Sequence, residues 1–464
     1  RYMETLWSLL KQIYDKGLLY KGYTIQPFSP AAGTGLSSHE LNQPGCYRDV
    51  KDTTAVVQFM IIRDGLSDEL FRRAGCSAGE GELFFIAWTT TPWTLPSNVA
   101  LCVGPQIEYI MVESFNPYSG CKAYYILAKE LLYNHFNKNA EGIALSDYKK
   151  GDKLIPFKVI GEPFKGSSLK GIRYEQLIQW MRPEPGMMQV VTGDFVTTSD
   201  GTGIVHIAPT FGADDDKVSK INKIPPFMVT DRDDVNQAMV DRTGRMYRIE
   251  DLSGYFVKER VNIDEYAQYA GRYVKNAYDD TLAPDAPSLD IDICMDLKQK
   301  GKAFKIEKHV HSYPHCWRTD KPVLYYPLDS WFIKTTAVQD QLIALNKTIK
   351  WKPESTGSGR FGKWLENLQD WNLSRSRFWG TPLPIWRTED GTEEKCIGSV
   401  NELYSEIEKA VKAGVMKSNP LKDEGFVPGD TGKENYDKVD LHRPYVDDYV
   451  LVSDKGIPMK REPD

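Results

Sequence analysis

The chain has 464 residues, 41% of them hydrophobic, which is enough to bury a large core in two or more domains of about 100–200 residues each. A formal net charge of -6 and a pI near 5.8 exclude a protein that holds nucleic acid by bulk positive charge, so such a partner requires a local basic patch. No run of about 18 apolar residues occurs, and the seven cysteines are dispersed with no C-x-x-C pair, which predicts no membrane span, no disulfide framework and a reducing, cytoplasmic setting.

The opening Arg1-Tyr2-Met3-Glu4 has neither an initiator Met nor an apolar signal region and reads as cut from something longer. Leu6, Leu9, Leu10, Ile13 and Tyr14 then recur at helical spacing ahead of Gly17, predicting an amphipathic helix. From Gln26 to Gly45, Pro27, Pro30, Gly33, Gly35 and Pro44 break any regular pattern. Thr54 to Ile62, Leu83 to Trp88, Val99 to Val103, Tyr109 to Val112 and Met188 to Thr192 are predicted strands, with helical patches between them such as Tyr174 to Met181. Strands and helices do not alternate in βαβ order, so the predicted class is α+β, a mixed and partly barrelled β domain with helices. Beyond Trp331, Val338 to Leu345 and Phe361 to Trp371 are predicted helices, and the polar stretch Thr388 to Lys438 a separate insertion. Lys149, Lys150 and Lys153, or Arg375 and Arg377, are the candidate basic patches.

Two segments carry candidate chemistry. In the first, Thr89, Thr90 and Thr91 follow an apolar strand and meet Pro92, with Trp93 and Thr94 beyond it. Proline cannot donate to a ladder, so three hydroxyls gather where the strand must stop, suiting either a polar pocket wall or a plain strand edge. In the second, Asp194 to Thr198 and Thr202 to Pro209 flank Asp200-Gly201, predicting a hairpin. Alternation puts Ile204, His206 and Ala208 on one face, a histidine among apolar side chains. Asp214, Asp215 and Asp216 follow Gly212, and this cluster is suited to cap a helix, bind a cation or hold a substrate ammonium.

Three weaker patterns carry little. Gly357 to Gly362 spells G-x-G-x-x-G, but no strand precedes it and Trp364 stands where a P-loop needs Ser or Thr. His309, His311, His315 and Cys316 have ligand chemistry without a second group at zinc spacing. No G-x-S-x-G elbow exists for a serine nucleophile.

Thr89 to Asn98 (TTTPWTLPSN) and Gly201 to Pro209 (GTGIVHIAP), with Phe211 to Asp215, closely resemble the two signature segments of the editing insertion of isoleucyl-tRNA synthetases. Thr91 stands where the valyl and leucyl relatives have arginine, and those relatives lack the GIVH histidine. Tyr313 to Arg318 and Asp370 to Pro382 extend the resemblance over nearly the whole chain, and details such as the latter look like the eukaryotic cytosolic form.

The resemblance implies four parts. Residues 1–48 are a helix and hinge leading out of a class I Rossmann catalytic core, and 49–312 are the editing domain. Residues 313–387 are the return hinge and part of the core, and 388–464 a second insertion and tail. Neither a HIGH tetrapeptide nor a KMSKS loop occurs, so ATP and magnesium are implied only for the complete parent enzyme and no cofactor for editing. Some relatives bind zinc through cysteine pairs, but here Ser29 and Ala32 stand at one pair and Thr319 near Cys316, so no metal is implied.

The implied activity is hydrolysis of valine from the 3′ end of the isoleucine tRNA. Asp215 would pair with the α-ammonium, and His206 would line the side-chain pocket. Thr89, Thr90, Thr91, Trp93 and Thr94 would form the wall holding the ester and the terminal adenosine. Either histidine or a substrate ribose hydroxyl would position the water. The rival readings are a tRNA-docking module without turnover, whose affinity would survive changes at Thr90 and Asp215, and a metal hydrolase inhibited by chelators.

Overall fold

The computed structural model describes residues 1–76, 82–283, 286–374 and 379–464, so Arg375 and Arg377 lie outside the described residues. The chain divides into two compact units, Arg1–Thr24 with Leu328–Asp464, and Ile25–Pro327. The second is wider on both sides than the predicted domain 49–312.

The Ile25–Pro327 unit is built on a six-stranded sheet. Its order is Ala303–Pro314, Tyr47–Met60, Glu82–Thr89, Lys122–Ala128, Glu108–Phe115, Lys158–Lys165. All neighbours are antiparallel except Glu82–Thr89 beside Lys122–Ala128, which is why a simple βαβ pattern is missing from the sequence. Leu83 to Ala87 are buried without a break, since both faces of this central strand are covered. On one face Phe84, Ile86, Tyr125, Leu127, Phe136 and Phe304 pack into one cluster, each contributing about 1.5–3 kcal/mol on burial.

A second sheet orders Ile204–Ile207, Ala100–Val103, Gln189–Thr192, pairing His206 with Leu101. Segment 194–199 forms no strand, so the predicted hairpin is not made. The edge bonds of Ile204–Ile207 go instead to a strand a hundred residues earlier. Nor is Tyr174 to Met181 a helix. Its apolar spacing arises because irregular chain buries Tyr174, which donates to Asn98 Oδ1 at 2.7 Å, and Trp180, which stacks 4.4 Å from Tyr269.

In the other unit, helix Tyr2–Asp15 is closed by Gly17 at φ +67° and buries Trp7 edge-on against Trp386 at 6.1 Å. Leu403, Ile407, Leu421 and Phe426 share that core, so within this unit Thr388 to Lys438 does not stand apart from the opening helix. The strand Leu19–Ser29 runs past Pro27 into the start of the turn-rich stretch Gln26 to Gly45, so regular structure persists there to Ser29. The predicted helix Phe361 to Trp371 stops at Glu366, where Asn367 Nδ2 donates back to the Lys363 carbonyl at 2.8 Å. In the G-x-G-x-x-G segment, a Cβ on Gly357 would lie 2.1 Å from the Trp351 ring, so this glycine serves close packing.

Candidate active site

Strand Glu82–Thr89 ends at the threonines, and Pro92 opens a tight 3-10 turn, Pro92–Ser97. The turn is tied by its own hydroxyls. Thr91 N–H donates to Thr89 Oγ1 at 3.1 Å, and Thr94 Oγ1 donates to the Thr91 carbonyl at 2.8 Å. That spends the only Thr94 hydroxyl proton. His206 Nε2, 3.0 Å from Thr94 Oγ1, is therefore the donor of their hydrogen bond, which fixes a neutral Nε2–H tautomer. Its Nδ1 is buried with no partner, and burial lowers the imidazole to about 4.

Asp215 lies in the first turn of helix Ala213–Ile221. Its Oδ2 accepts the Ala208 N–H at 2.8 Å, closing the chain from the end of strand Ile204–Ile207 onto the helix. A Cβ on Gly212 would come within 2.7 Å of Asp215 Cγ, so a glycine there lets the carboxylate fold back. Burial pushes the Asp215 carboxyl up to about 7, opposed by the Ala208 amide and reinforced by Asp214. The helix has no side-chain cap bond, so none of the three aspartates serves as the predicted cap. Asp214 is exposed, and Asp216 is buried with Lys220 Nζ 2.6 Å from its Oδ2.

A cavity of about 300 Å³ brings Thr89, Thr90, His206 and Asp215 together, with Trp88, Phe195, Thr197 and the run Asp200 to Val205. The predicted wall residues Thr91, Trp93 and Thr94 are not among its lining. The turn carries them behind the strand end, where Trp93 packs edge-on against Phe211 at 4.9 Å and Thr94 backs His206. A larger opening of about 630 Å³ runs along Gln176 to Pro183 and Val261 to Asp264, away from both segments.

Thr197 and Thr202 lie in the second candidate segment and line the cavity, although no role was assigned to them, and their hydroxyls bond Ser199 Oγ and the Ile204 carbonyl. Sequence reasoning missed Asp290, whose Oδ1 accepts the Trp93 N–H at 2.8 Å. His309 packs edge-on to Trp88, His311 bonds Asp52 and His315 bonds the Tyr313 carbonyl. Among the described residues no three His, Cys, Asp or Glu side chains are placed to hold a metal ion, and no helix is long and apolar enough to cross a membrane. Lys149, Lys150 and Lys153 are all exposed.

Residues 1–440 match the family described as tRNA synthetases class I (I, L, M and V). The chain is 65% identical over all 464 residues to the isoleucine–tRNA ligase of Bacteroides fragilis and 61% over 465 residues to that of Porphyromonas gingivalis. It is 38% identical over 462 residues to that of Clostridium acetobutylicum. It spans only 40%, 40% and 34% of the length of these three proteins. These relatives are bacterial and lend no support to a eukaryotic cytosolic type. Among solved structures, the chain aligns with GlLeuRS-CP1 at 12% identity and a TM-score of 0.32, over 55% of this chain and 100% of that one. It aligns with the editing domain of the Plasmodium knowlesi (P.knowlesi) cytosolic leucyl-tRNA synthetase at 13% and 0.33, over 56% and 98%. Both likenesses are too slight to bear on function.

Proposed function

Because the chain belongs to the class I tRNA synthetases (I, L, M and V), we propose that its Ile25–Pro327 unit is the editing domain of an isoleucine–tRNA ligase, removing valine wrongly esterified to the isoleucine tRNA. The observation that carries this reading is one small cavity with a neutral, fixed histidine and a half-buried carboxylate on its wall.

A second site is needed because one methylene is worth only about 1–3 kcal/mol of discrimination in a synthetic pocket, a limit for which isoleucyl-tRNA synthetase is the standard worked case. A sieve that destroys valyl-tRNA must admit the smaller side chain and refuse the larger. A cavity near the lower end of ligand-pocket volumes, backed by an imidazole that Thr94 prevents from swinging aside, supports such a sieve.

Asp215 supplies the recognition of a free amino ester. Its carboxyl is held up by burial, so an arriving ammonium replaces the missing solvent and stabilises the anion. Water then attacks the ester carbonyl, the carbon–oxygen bond to the ribose breaks, and valine and free tRNA leave. His206 is a weak base at about 4, and Asp215 is engaged with the ammonium. A ribose hydroxyl of the substrate therefore positions the water, and the protein contributes orientation through the Thr89 and Thr90 hydroxyls. No cofactor enters this step. ATP and magnesium belong to isoleucine activation by the longer parent enzyme, to whose Rossmann core the other unit would contribute.

The test is deacylation: the chain incubated with valyl- and isoleucyl-tRNA for isoleucine should release valine well above the spontaneous rate and leave isoleucine attached. Equal release of both, or of neither, contradicts the reading.

A further inference from the structure

The turn that holds Thr94 has an unusual cap. In a helical turn beginning at Thr91, the Thr91 side chain would ordinarily accept an amide from the residue two or three positions on. Here it makes no cap bond, its hydroxyl lying 3.4 Å from Thr94 Oγ1, and Pro92 has no amide to offer. The first free amide of the turn is Trp93 N–H. It is satisfied by Asp290 Oδ1 at 2.8 Å, from helix Leu289–Gln299, 197 positions away.

Asp290 is only 2% exposed, and burial pushes its carboxyl up to about 6 against the pull of Lys275 and the Trp93 amide, so its anion is held by partners rather than by water. Lys275 Nζ lies 3.7 Å from Asp290 Oδ2 and 2.8 Å from Asp52 Oδ2, which also meets His311 Nε2 at 3.2 Å. The Lys275 ammonium sits 4.8 Å over the Tyr313 ring. Burial alone would lower its pKa, but Asp290, Tyr313 and Asp52 outweigh burial and raise it, so the cation persists. A buried ion pair of this kind adds little stability over apolar packing of the same volume, and here its geometry aims Asp290 Oδ1 at the Trp93 amide.

We infer that Asp290, held by Lys275, is a positioning residue for the cavity: by capping the Pro92–Ser97 turn through the Trp93 amide it sets where Thr94 fixes His206, and thereby how large an amino acid is admitted. The substrates of this inference rest on the editing reading; its geometry does not.

Asp290→Asn keeps an oxygen for the Trp93 amide. Asp290→Leu with Lys275→Met removes the acceptor and both charges together, leaving no stranded cation. With valyl- and isoleucyl-tRNA as probes, the double variant should lose roughly tenfold in selectivity, through a lower kcat on valyl-tRNA and new hydrolysis of isoleucyl-tRNA. Asp290→Asn should restore most of the selectivity. By NMR the His206 imidazole should titrate higher in the double variant than in the parent chain.

Two further readouts complete the test. Wild-type Trp93 amide exchange should be as slow as that of the core strands, whatever the variants do; exchange at a loop rate overturns the inference. So does a double variant whose two hydrolysis rates fall in proportion, with selectivity and the His206 titration unchanged, since that marks a merely structural pair. If the wild-type chain does not deacylate valyl-tRNA, the editing reading falls, and the positioning of His206 is judged on its titration and on Trp93 exchange alone.

Discussion

The Thr94 hydroxyl and His206 Nε2 meet at 3.0 Å although 112 positions separate them in the chain. The threonine proton is already given to the Thr91 carbonyl, so the ring cannot rotate without losing its only partner. His206 is thus a rigid piece of wall. His206→Ala should open room for the extra methylene, so that correctly charged isoleucyl-tRNA is hydrolysed at a rate within about tenfold of valyl-tRNA. Deacylation of both substrates measures this; continued protection of isoleucyl-tRNA would remove His206 from the size filter.

Asp215 gives the site a pH signature. Its carboxyl stands at about 7, raised by burial against the pull of the Ala208 amide. Only the anion binds an ammonium, so kcat/KM for valyl-tRNA should rise as pH passes through about 7, a limb absent from Asp215→Asn. Stability runs the other way. With the folded pKa above the unfolded value, the carboxyl carries no penalty below about pH 4, where it is protonated in both states. The penalty grows up to about 7 and is complete above it. Asp215→Asn should therefore gain stability relative to wild type between pH 4 and pH 8 in urea unfolding. A difference that does not change with pH refutes the assignment.

Asp216 has a different task from its neighbour. Its carboxylate is buried near the helix start and pairs with Lys220 one turn on. Asp216→Ala should cost about 0.5–1.5 kcal/mol of stability, from a partly exposed i,i+4 pair and the helix dipole, with little change in deacylation per folded molecule. Thermal melts beside rate measurements separate the two effects, and a selective loss of rate would put Asp216 in the site.

Thr89, Thr90 and His206 were legible as cavity residues because their signals are local: a proline that ends a strand, and an alternation that turns one histidine inward with Ile204. Thr91, Trp93 and Thr94 were misplaced because the sequence does not show that the Pro92–Ser97 turn carries them out of the lining. Asp215 was legible only as one of three adjacent carboxylates. Its choice came from resemblance, and the structure separates the three by their partners: solvent for Asp214, the Ala208 amide for Asp215, Lys220 for Asp216. The supposed hairpin at Asp200-Gly201 misled because a turn signal says nothing about where the following strand finds its hydrogen bonds, which here is Ala100–Val103. Asp290 left no trace in the sequence, since nothing local distinguishes a carboxylate that caps a turn 197 positions away.

The chain holds neither HIGH nor KMSKS, the elements that would stabilise transferring phosphates. Isoleucine-dependent exchange of pyrophosphate into ATP should stay at background for these 464 residues. Exchange clearly above background would require an activation site that the proposed division of labour does not contain.

The central claim is that Asp215 anchors the ammonium of a misplaced valine. Removing it deprives a charged hydrogen bond of its acceptor in a partly desolvated cavity, worth about 1.5–3 kcal/mol, or roughly 10- to 100-fold in rate. Valyl-tRNA deacylation by Asp215→Ala, with circular dichroism unchanged, is the most direct measurement. The account predicts a rate at least about tenfold below wild type; a wild-type rate would contradict it.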